Sequence, residues 1–256
     1  MIGIKGSRSS FHRELLYGLQ PVRAALRSRK REFSELFIKI GKNNSGPISE
    51  IRELAEEIEV TVNEVSGNRL AKMCPNAVHQ GVVLRCSILP FSNISDLPLT
   101  LEGDLPLIVV LDQIEDPHNL GAIIRNCGFF DVTAVVLSKD HSCGLTPVVS
   151  KSSSGVAEWL TVISTTNLTR FIQKKKSEGY WIVGLAEEYN QTLSKLDRDE
   201  PLILVLGNEG RGIRPLIRKQ CDWLVSIAGN PKVSSLNVSN AAAIALNHFY
   251  VLPQSN

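Results

Sequence analysis

Three short segments in the C-terminal part of the chain combine polar side chains with glycines or serines. "NLGAIIR" carries Asn119 and Arg125, "GNEGRG" carries Glu209, and "SLNVS" carries Ser235 and Asn237. Such groups can bind a polar ligand, orient a nucleophile or stabilise a developing charge. Taken singly, each segment also has a simpler interpretation, with Asn119 and the serines as helix caps and Arg125 as a surface residue.

The glycine-rich segment does not fit a phosphate-binding loop. No lysine followed by serine or threonine comes after its last glycine, and Gly207, Gly210 and Gly212 do not have the dinucleotide-binding spacing. Glu209 would repel a pyrophosphate at close range. The segment therefore predicts a flexible turn beside an acid, suited to a ligand without a polyphosphate, or a simple glycine turn.

The sequence lacks the residues that several other functional classes require. A serine hydrolase needs G-x-S-x-G and a histidine partner, which the sequence does not contain. The five histidines are scattered, so no metal site is predicted. Five widely spaced cysteines indicate a reducing compartment without disulfides. No apolar run approaches the roughly 18 residues of a membrane helix, so we expect no membrane partner.

The elements that must position the three segments alternate between strands and helices. Apolar runs such as "LPLIVVLDQI", "VTAVVLS" and "LILVLG" predict buried strands, whereas "NLGAIIRNCGFF", "GVAEWL" and "SNAAAIALNHFYVL" predict helices. This alternation predicts an α/β fold with a mainly parallel sheet covered on both faces. Such sheets bind ligands at the carboxyl ends of their strands, where the three segments begin.

A smaller α/β unit precedes this sheet. Helices are predicted at "YGLQPVRAALRS" and "PISEIRELAEEIE", and strands at "SELFIKI", "VTVNEV" and "GVVLRC". The proline-rich stretch that follows has no periodicity and reads as a linker. We predict a flexible basic N-terminus at 1–12, a small domain at 13–88, a linker at 89–105 and a larger domain at 106–256.

The net charge of +2 does not identify a nucleic-acid-binding protein, but the basic residues are clustered. Lys5, Arg8, His12 and Arg13 occur without an acid near the N-terminus, and "RSRKR" and "KKK" follow at 27–31 and 174–176. Local basic patches can follow a phosphate backbone even when the global charge is small. Solvated helix ends explain each cluster equally well.

Together and in this order, the three segments resemble the SpoU (TrmH-type) family of RNA ribose 2′-O-methyltransferases, whose motifs are N-x-G-x-x-x-R, G-x-E-G-x-G and S-L-N-V-S. The N-terminal unit, with "YGLQPVRAAL" and "HQGVV", is similar to the substrate-binding domain that precedes the catalytic domain in many members. "HSCGLTPVVSKSSSG" resembles the branch that methylates a guanosine ribose in large-subunit ribosomal RNA.

The resemblance implies a catalytic domain whose C-terminal part is threaded as a trefoil knot, a rare exception to unknotted connectivity. It implies S-adenosylmethionine as the cofactor, without a metal. The positions matching the cofactor site are Leu185, Ala186, Gly207, Ile227 and Leu236. The positions matching the catalytic site are Asn119, Arg125, Glu209, Ser235 and Asn237.

The chemistry that the family implies is an in-line displacement, in which a ribose 2′-oxygen attacks the sulfonium methyl group. The protein must align the reacting atoms and ease loss of the hydroxyl proton. The family casts Arg125 as the base, but a guanidinium stays protonated in proteins. A charged Arg125 is better suited to anchoring a phosphate or stabilising an alkoxide. Where the family often has Phe-Gly after this helix, Asp131 is expected to adopt a left-handed turn.

The family also implies a homodimer whose site is completed across the interface. The predicted function is therefore methylation of a ribosomal RNA ribose by S-adenosylmethionine. Two alternatives stay open: the same chemistry on tRNA, and a catalytically silent RNA-binding factor in ribosome assembly. We expect a cytoplasmic protein, or one of the mitochondrial matrix if the source is eukaryotic.

Overall fold

The structure, a computed structural model, describes residues 13–42, 46–98, 105–186, 191–230, 232–233 and 235–251. The predicted basic N-terminus 1–12, part of the predicted linker (99–104) and Ser234 lie outside the described residues. The chain divides into two compact units at Pro90 and Phe91. This division falls inside the predicted linker, and the domain bounds stay predictions.

The N-terminal unit is a four-stranded sheet with helices on both faces. Its elements are β1 Arg13–Tyr17, α1 Leu19–Ser28, β2 Phe33–Lys39, α2 Gly46–Glu57, β3 Thr61–Val65, α3 Gly67–Met73 and β4 Val82–Ser87. The strand order is β1-β4-β2-β3, in which β4 is antiparallel to β1 and β2 while β3 is parallel to β2. The predicted strands and helices are present, and β1 and α3 are additional.

Two clusters of buried side chains hold this sheet between its helices. One contains Val22 and Leu26 of α1 with Ile51 of α2, and the other contains Leu70 of α3 with Phe37 of β2. Burying each such side chain contributes about 1.5–3 kcal/mol relative to leaving it exposed. The unit therefore has a core of its own.

The C-terminal unit is built on six parallel strands in the order β10-β8-β9-β5-β6-β7. The strands are β5 Leu107–Asp112, β6 Ala134–Ser138, β7 Val162–Thr165, β8 Trp181–Leu185, β9 Leu202–Gly207 and β10 Trp223–Val225. All six residues of β5 and the first five of β9 are buried. This confirms the predicted parallel sheet, because only strands covered on both faces read as continuous apolar runs.

The helices of this unit are α4 Pro117–Phe129, α5 Pro147–Ser152, α6 Leu168–Ser177, α7 Pro215–Arg218 and α8 Val238–Val251. The helix predicted at "GVAEWL" is wrong: only Val156–Glu158 forms a single 3₁₀ turn, because Gly155 precedes it with φ of 88° and β7 begins soon afterwards. The helix is instead α5, which begins at Pro147 after the cap Thr146. Its serine-rich sequence gave no apolar periodicity.

Glycines let α4 pack closely on its neighbours, which fixes the helix that carries the first motif. A Cβ atom at Gly121 would overlap the side chain of Ser152 in α5, and one at Gly128 would overlap Val156. Where the helix exits, Asp131 has φ of 51°, which confirms the expected left-handed turn. The helix that carries the first motif is therefore packed closely against α5 and the 3₁₀ turn.

Candidate active site and cofactor cavity

Asn119, Glu209 and Asn237, one residue from each of the three motifs, are joined by hydrogen bonds. The Asn119 Nδ2 group donates to Glu209 Oε1 at 3.0 Å, and the Asn237 Nδ2 group donates to the same oxygen at 2.6 Å. Asn237 Nδ2 also donates to Asn119 Oδ1 at 2.9 Å. Residues separated by as many as 118 positions thus form one cluster, which we call the motif triad.

The Glu209 carboxylate is held by the triad. Its Oε1 atom accepts a third hydrogen bond from the Val238 backbone N–H at 3.3 Å, at the start of α8. Three donors thus converge on one carboxylate oxygen, and one of them is the first backbone N–H of α8. Glu209 is exposed to solvent as well. It is therefore suited to accepting hydrogen bonds and to placing negative charge near a cationic ligand.

Asn237 also caps α8. Its Oδ1 atom accepts from the Ser239 backbone N–H at 2.9 Å and from the Ser239 hydroxyl at 2.6 Å. These bonds fix which end of the amide faces Glu209, because Oδ1 is committed to the helix and Nδ2 to the triad. The opposite end of α8 is fixed by His248 Nε2, which donates to the Leu196 carbonyl at 2.8 Å.

Asn126 joins α4 to α8 and was not predicted. Its Nδ2 group donates to the Ser239 carbonyl at 3.2 Å. Asn126 lies seven residues after Asn119, so the two side chains share a face of the helix. The seven-residue spacing from Asn119 and the serine-rich start of α8 are the sequence features that could have indicated this contact.

The glycine-rich loop is shaped by Asn208 and anchored by Asp112, neither of which was predicted. Asn208 Oδ1 accepts from the backbone N–H groups of Gly210 at 2.9 Å and Arg211 at 3.3 Å, and its Nδ2 group donates to the Gln113 carbonyl at 3.0 Å. This Asx turn folds the loop back toward the end of β5.

Asp112 is fully buried at the carboxyl end of β5 and is paired with Arg214 beyond the loop. Asp112 Oδ2 accepts from the Arg214 backbone N–H at 2.9 Å, and Oδ1 accepts from Arg214 Nε at 2.8 Å and pairs with Nη2 at 2.7 Å. Burying a carboxylate costs free energy unless it is paired and hydrogen-bonded in this way. The pair fixes both ends of the loop to the sheet.

A cavity of about 700 Å³ opens beside the loop, at the carboxyl ends of β8, β9 and β10. All five predicted cofactor positions line it, namely Leu185, Ala186, Gly207, Ile227 and Leu236. Glu209 and Ser235 line it too, which places the cavity next to the motif triad. Aliphatic side chains and loop backbone line the cavity together with polar side chains, among them Arg211 and Arg218. Such a mixed lining is typical of a small-molecule site.

Gly207 has a structural role besides lining the cavity. A Cβ atom there would overlap the backbone of Gly212 and Ile213, which return against the end of β9. The family resemblance placed this glycine at the cofactor site. The structure shows that the missing side chain at Gly207 also lets the backbone of Gly212 and Ile213 pack against the end of β9.

Arg125 is not brought into the motif triad. It is exposed, and none of the described residues forms a side-chain hydrogen bond or ion pair with it. Six residues separate it from Asn119, which places the two side chains about 120° apart around α4. Arg125 instead shares a stripe of α4 with His118, Ala122 and Phe129, at spacings of three, four and seven residues.

The basic clusters seen in the sequence are largely paired with acids of the same unit. The ion pairs are Arg27–Glu50, Arg29–Glu57, Arg31–Glu14, Lys174–Glu178, Lys175–Glu178 and Lys176–Asp222. A cation that is paired with an acid attracts a phosphate backbone less strongly than an unpaired one. Of the two explanations left open for these clusters, the structural one fits "RSRKR" and "KKK" better.

The two partly buried cysteines carry no reactive thiolate. All five cysteines are free thiols, and burial raises the pKa of Cys143 to about 11 and that of Cys221 to about 12. Within the described residues, no group of three His, Cys, Asp or Glu side chains could hold a metal ion. No described helix is long and apolar enough to cross a membrane.

Comparison with known proteins identifies the family. The SpoU rRNA methylase family model matches residues 106–247, and the model for RNA 2′-O ribose methyltransferase substrate binding matches residues 15–92. The chain belongs to the SpoU rRNA methylase family. The resemblance carried by the three motifs is therefore confirmed, as is an α/β catalytic domain preceded by a substrate-binding domain.

Bacterial relatives match nearly the whole chain. The 23S rRNA (guanosine-2′-O-)-methyltransferase RlmB of Pectobacterium atrosepticum is 39 % identical over 234 residues, covering 91 % of this chain and 96 % of that protein. The protein of the same name from Shewanella oneidensis is 37 % identical over 234 residues, covering 91 % and 95 %.

Solved SpoU methyltransferases share the fold. AviRb from Streptomyces viridochromogenes, in complex with AdoMet, superposes with a TM-score of 0.77 at 22 % identity, covering 92 % of this chain and 88 % of that one. The A. aeolicus TrmH/SpoU tRNA modifying enzyme superposes with a TM-score of 0.52 at 26 % identity, covering 57 % and 74 %.

Proposed function

We propose that this protein transfers a methyl group from S-adenosylmethionine to the ribose 2′-hydroxyl of a guanosine in large-subunit ribosomal RNA. The observation that carries the proposal is the motif triad, which places the catalytic motifs at the rim of a cavity without a phosphate-binding loop. The curated relatives, at 37–39 % identity over both units, support the reaction and the substrate.

The lining of the cavity fits the cofactor. Leu185, Ile227 and Leu236 offer apolar contact to an adenosine, while the loop backbone around Gly207 offers hydrogen-bonding groups. Glu209 adds a negative charge near a ligand whose reactive centre is a cation. When bound, S-adenosylmethionine supplies a methyl group on positively charged sulfur, which needs no metal to react.

The residues of this chain then have three tasks in the reaction. The triad holds the RNA-facing wall of the cavity rigid, because each of its members is fixed by at least two hydrogen bonds. Ser235 stands exposed on the same wall, where it can bind a ribose oxygen. Arg125 binds a phosphate of the RNA or stabilises charge that develops on the attacking oxygen.

We propose further that two copies pack through α4 and α8. Phe129 is 78 % exposed and Tyr250 54 %, which leaves an apolar surface open at the ends of these helices. The Phe130 ring contacts both Phe129 and Tyr250, so the aromatic side chains of the two helices form one patch. A self-complementary interface here would bring Arg125 of one copy toward the cavity of the other.

Ribosomal RNA is favoured over tRNA as the substrate. The curated 23S rRNA methyltransferases match both units of the chain, whereas the solved tRNA modifying enzyme matches 57 % of it. An intact triad argues against a silent assembly factor. The trefoil knot and the cytoplasmic location stay predictions from the sequence.

Incubation with tritiated S-adenosylmethionine tests the proposal, with unmodified transcripts of large-subunit ribosomal RNA and of total tRNA as separate substrates. We expect label in the ribosomal RNA. Label in tRNA alone would select the first alternative, and absence of cofactor binding by calorimetry would select the silent factor.

A further inference from the structure

Two segments of the N-terminal unit, 39–42 and 66–81, contain Lys and Arg residues but neither Asp nor Glu. Their cations are Lys39, Lys42, Arg69 and Lys72. We call the surface that these two segments form the acid-free surface. A surface of one sign attracts a polyanion, whereas interspersed charges of both signs cancel at a distance.

The helices on the other side of the same sheet are electrically balanced. The segments 19–32 and 50–59, which cover α1 and most of α2, contain six Lys or Arg residues and six acids. Arg27 is paired there with Glu50, and Arg29 is paired with Glu57. The excess of positive charge in these parts of the unit therefore lies on the side of α3.

Contacts between the two segments bring their cations onto one surface. The Lys39 backbone N–H donates to the Gly81 carbonyl at 2.9 Å. A Cβ atom at Gly67 would lie 3.1 Å from Lys39 Cε, and one at Gly81 would lie 3.2 Å from Lys42 Cδ. Both lysine side chains therefore lie against the segment that carries α3.

The helix α3 presents its cations to solvent because its apolar side packs on the sheet. Leu70 is buried against Phe37 of β2, whereas Arg69 and Lys72 are exposed. These two cations lie three positions apart, which places them on one face of the helix. Among the described residues, none forms a side-chain hydrogen bond or ion pair with Lys39, Arg69 or Lys72. A phosphate group would meet no competing acid there.

Apolar and amide side chains accompany these cations. Val78 is 70 % exposed and Ile40 59 %, and the amides of Asn76 and Gln80 are exposed as well. Proteins that bind RNA use cations for phosphates, and they use amide or apolar groups for bases that are not stacked. The acid-free surface offers all of these groups.

Side-chain hydrogen bonds hold the loop between α3 and β4 in place. The Gly81 backbone N–H donates to His79 Nδ1 at 3.0 Å, and the Leu19 backbone N–H donates to Gln80 Oε1 at 3.3 Å. A surface that is already ordered loses less conformational entropy when it binds a partner.

We propose that the acid-free surface binds the phosphate backbone of the RNA substrate, with Ile40 and Val78 in contact with its bases. The inference rests on the proposed function, which makes RNA the polyanion that this protein must hold. The "RSRKR" cluster is the less suitable surface, because a phosphate at Arg27 or Arg29 would compete with a paired carboxylate.

Filter binding of transcribed large-subunit ribosomal RNA at several salt concentrations tests the proposal. The triple variant Lys39→Ala, Arg69→Ala, Lys72→Ala removes three of the proposed phosphate contacts. We expect its dissociation constant to rise at least about tenfold at about 0.15 M salt. The steepness of log Kd against log salt should fall by about two, because each phosphate contact contributes about 0.7–0.9.

The matched control is the triple variant Arg27→Ala, Arg29→Ala, Lys30→Ala, which removes the same charge from the "RSRKR" cluster. Its dissociation constant should change by less than about threefold. Because both triple variants have the same net charge, a difference between them reports the position of the contacts. Arg69→Lys combined with Lys72→Arg keeps both charges and should bind RNA normally.

Two measurements separate lost RNA contacts from damage to the protein. Thermal unfolding and affinity for S-adenosylmethionine should stay normal in all variants, because the substituted side chains are exposed and none lines the cavity. At saturating RNA the transfer rate should stay near that of the wild-type protein, so that the loss appears in KM for RNA.

Equal losses of RNA affinity in the two triple variants would overturn the proposal. Normal RNA affinity in Lys39→Ala, Arg69→Ala, Lys72→Ala would overturn it too, and would point to an acidic protein as the partner of this surface. If the wild-type protein binds RNA with the expected pattern but transfers no methyl group, the proposed function fails while the assignment of the surface stands. The two failures are therefore distinguishable.

Discussion

Asn237 donates a 2.6 Å hydrogen bond to the carboxylate of Glu209, and the same amide caps α8. One side chain thus orders both the start of the helix and the Glu209 carboxylate. The two residues lie 28 positions apart in sequence and come from different motifs. Any change at Asn237 is therefore expected to affect both stability and activity.

Asn237→Asp should nearly abolish methyl transfer. The substitution keeps the capping oxygen but replaces the Nδ2 donor with a second carboxylate against Glu209, where like charges repel. Asn237→Ser serves as the matched variant, because it also retains a cap but introduces no charge. Transfer rates and thermal unfolding of both should be compared. Equal activity of the two variants would show that the repulsion is unimportant.

Gly207→Ala should abolish binding of S-adenosylmethionine. The added methyl group would overlap the Gly212 and Ile213 backbone, so the loop that walls the cavity must move. Gly144→Ala is the control, since a Cβ atom there meets nothing within 4 Å. Isothermal calorimetry measures both. Normal affinity in Gly207→Ala would mean that the loop adapts and is not a fixed wall.

Arg214→Ala should destabilise the C-terminal unit by about 2–3 kcal/mol, because it leaves the fully buried Asp112 without its cation. Lys174→Ala removes one cation of an exposed 3.9 Å pair and should cost less than about 1 kcal/mol. Urea denaturation measures the difference. If the two variants lost similar stability, Asp112 would not be the anchor of the loop.

Arg125→Ala should abolish turnover while leaving cofactor affinity unchanged within about threefold, because Arg125 does not line the cavity. Arg125→Lys keeps a positive charge but not the planar fork. Transfer assays and calorimetry on both variants provide the test. Near-normal turnover by Arg125→Lys would contradict a specific role for the guanidinium group.

Mixing two inactive variants tests the proposed homodimer. If Arg125 of one copy completes the cavity of the other, Arg125→Ala and Asn237→Ala subunits should form mixed dimers with one intact site. Random exchange then restores about a quarter of the normal transfer rate. Each variant alone is the control. Absence of recovery after confirmed subunit exchange would mean that each copy carries a complete site or that no dimer forms.

Much of the fold could be predicted from the sequence because the strands of the larger unit are buried on both faces. Continuous apolar runs such as Leu107–Asp112 and Leu202–Gly207 are visible without any structure. β1 and α5 were missed because they are only five and six residues long and show no period. Short elements are stabilised by tertiary packing, which a local pattern does not record.

Residues of the candidate site could be predicted only where they lie in one of the three family motifs. The resemblance supplied Asn119, Glu209 and Asn237, and the structure brings them together. The supporting residues were not visible in the sequence, since Asp112 meets Arg214 across 102 positions and no local spacing reports such a contact.

The identity of the methylated atom decides whether this protein is a ribose methyltransferase. After reaction of the purified protein with S-adenosylmethionine and unmodified large-subunit ribosomal RNA, complete nuclease digestion and mass spectrometry of the nucleosides give the product. We expect 2′-O-methylguanosine at a single position, and its loss with Asn237→Asp. Methylation on a base nitrogen, or none in the presence of bound cofactor, would contradict this expectation.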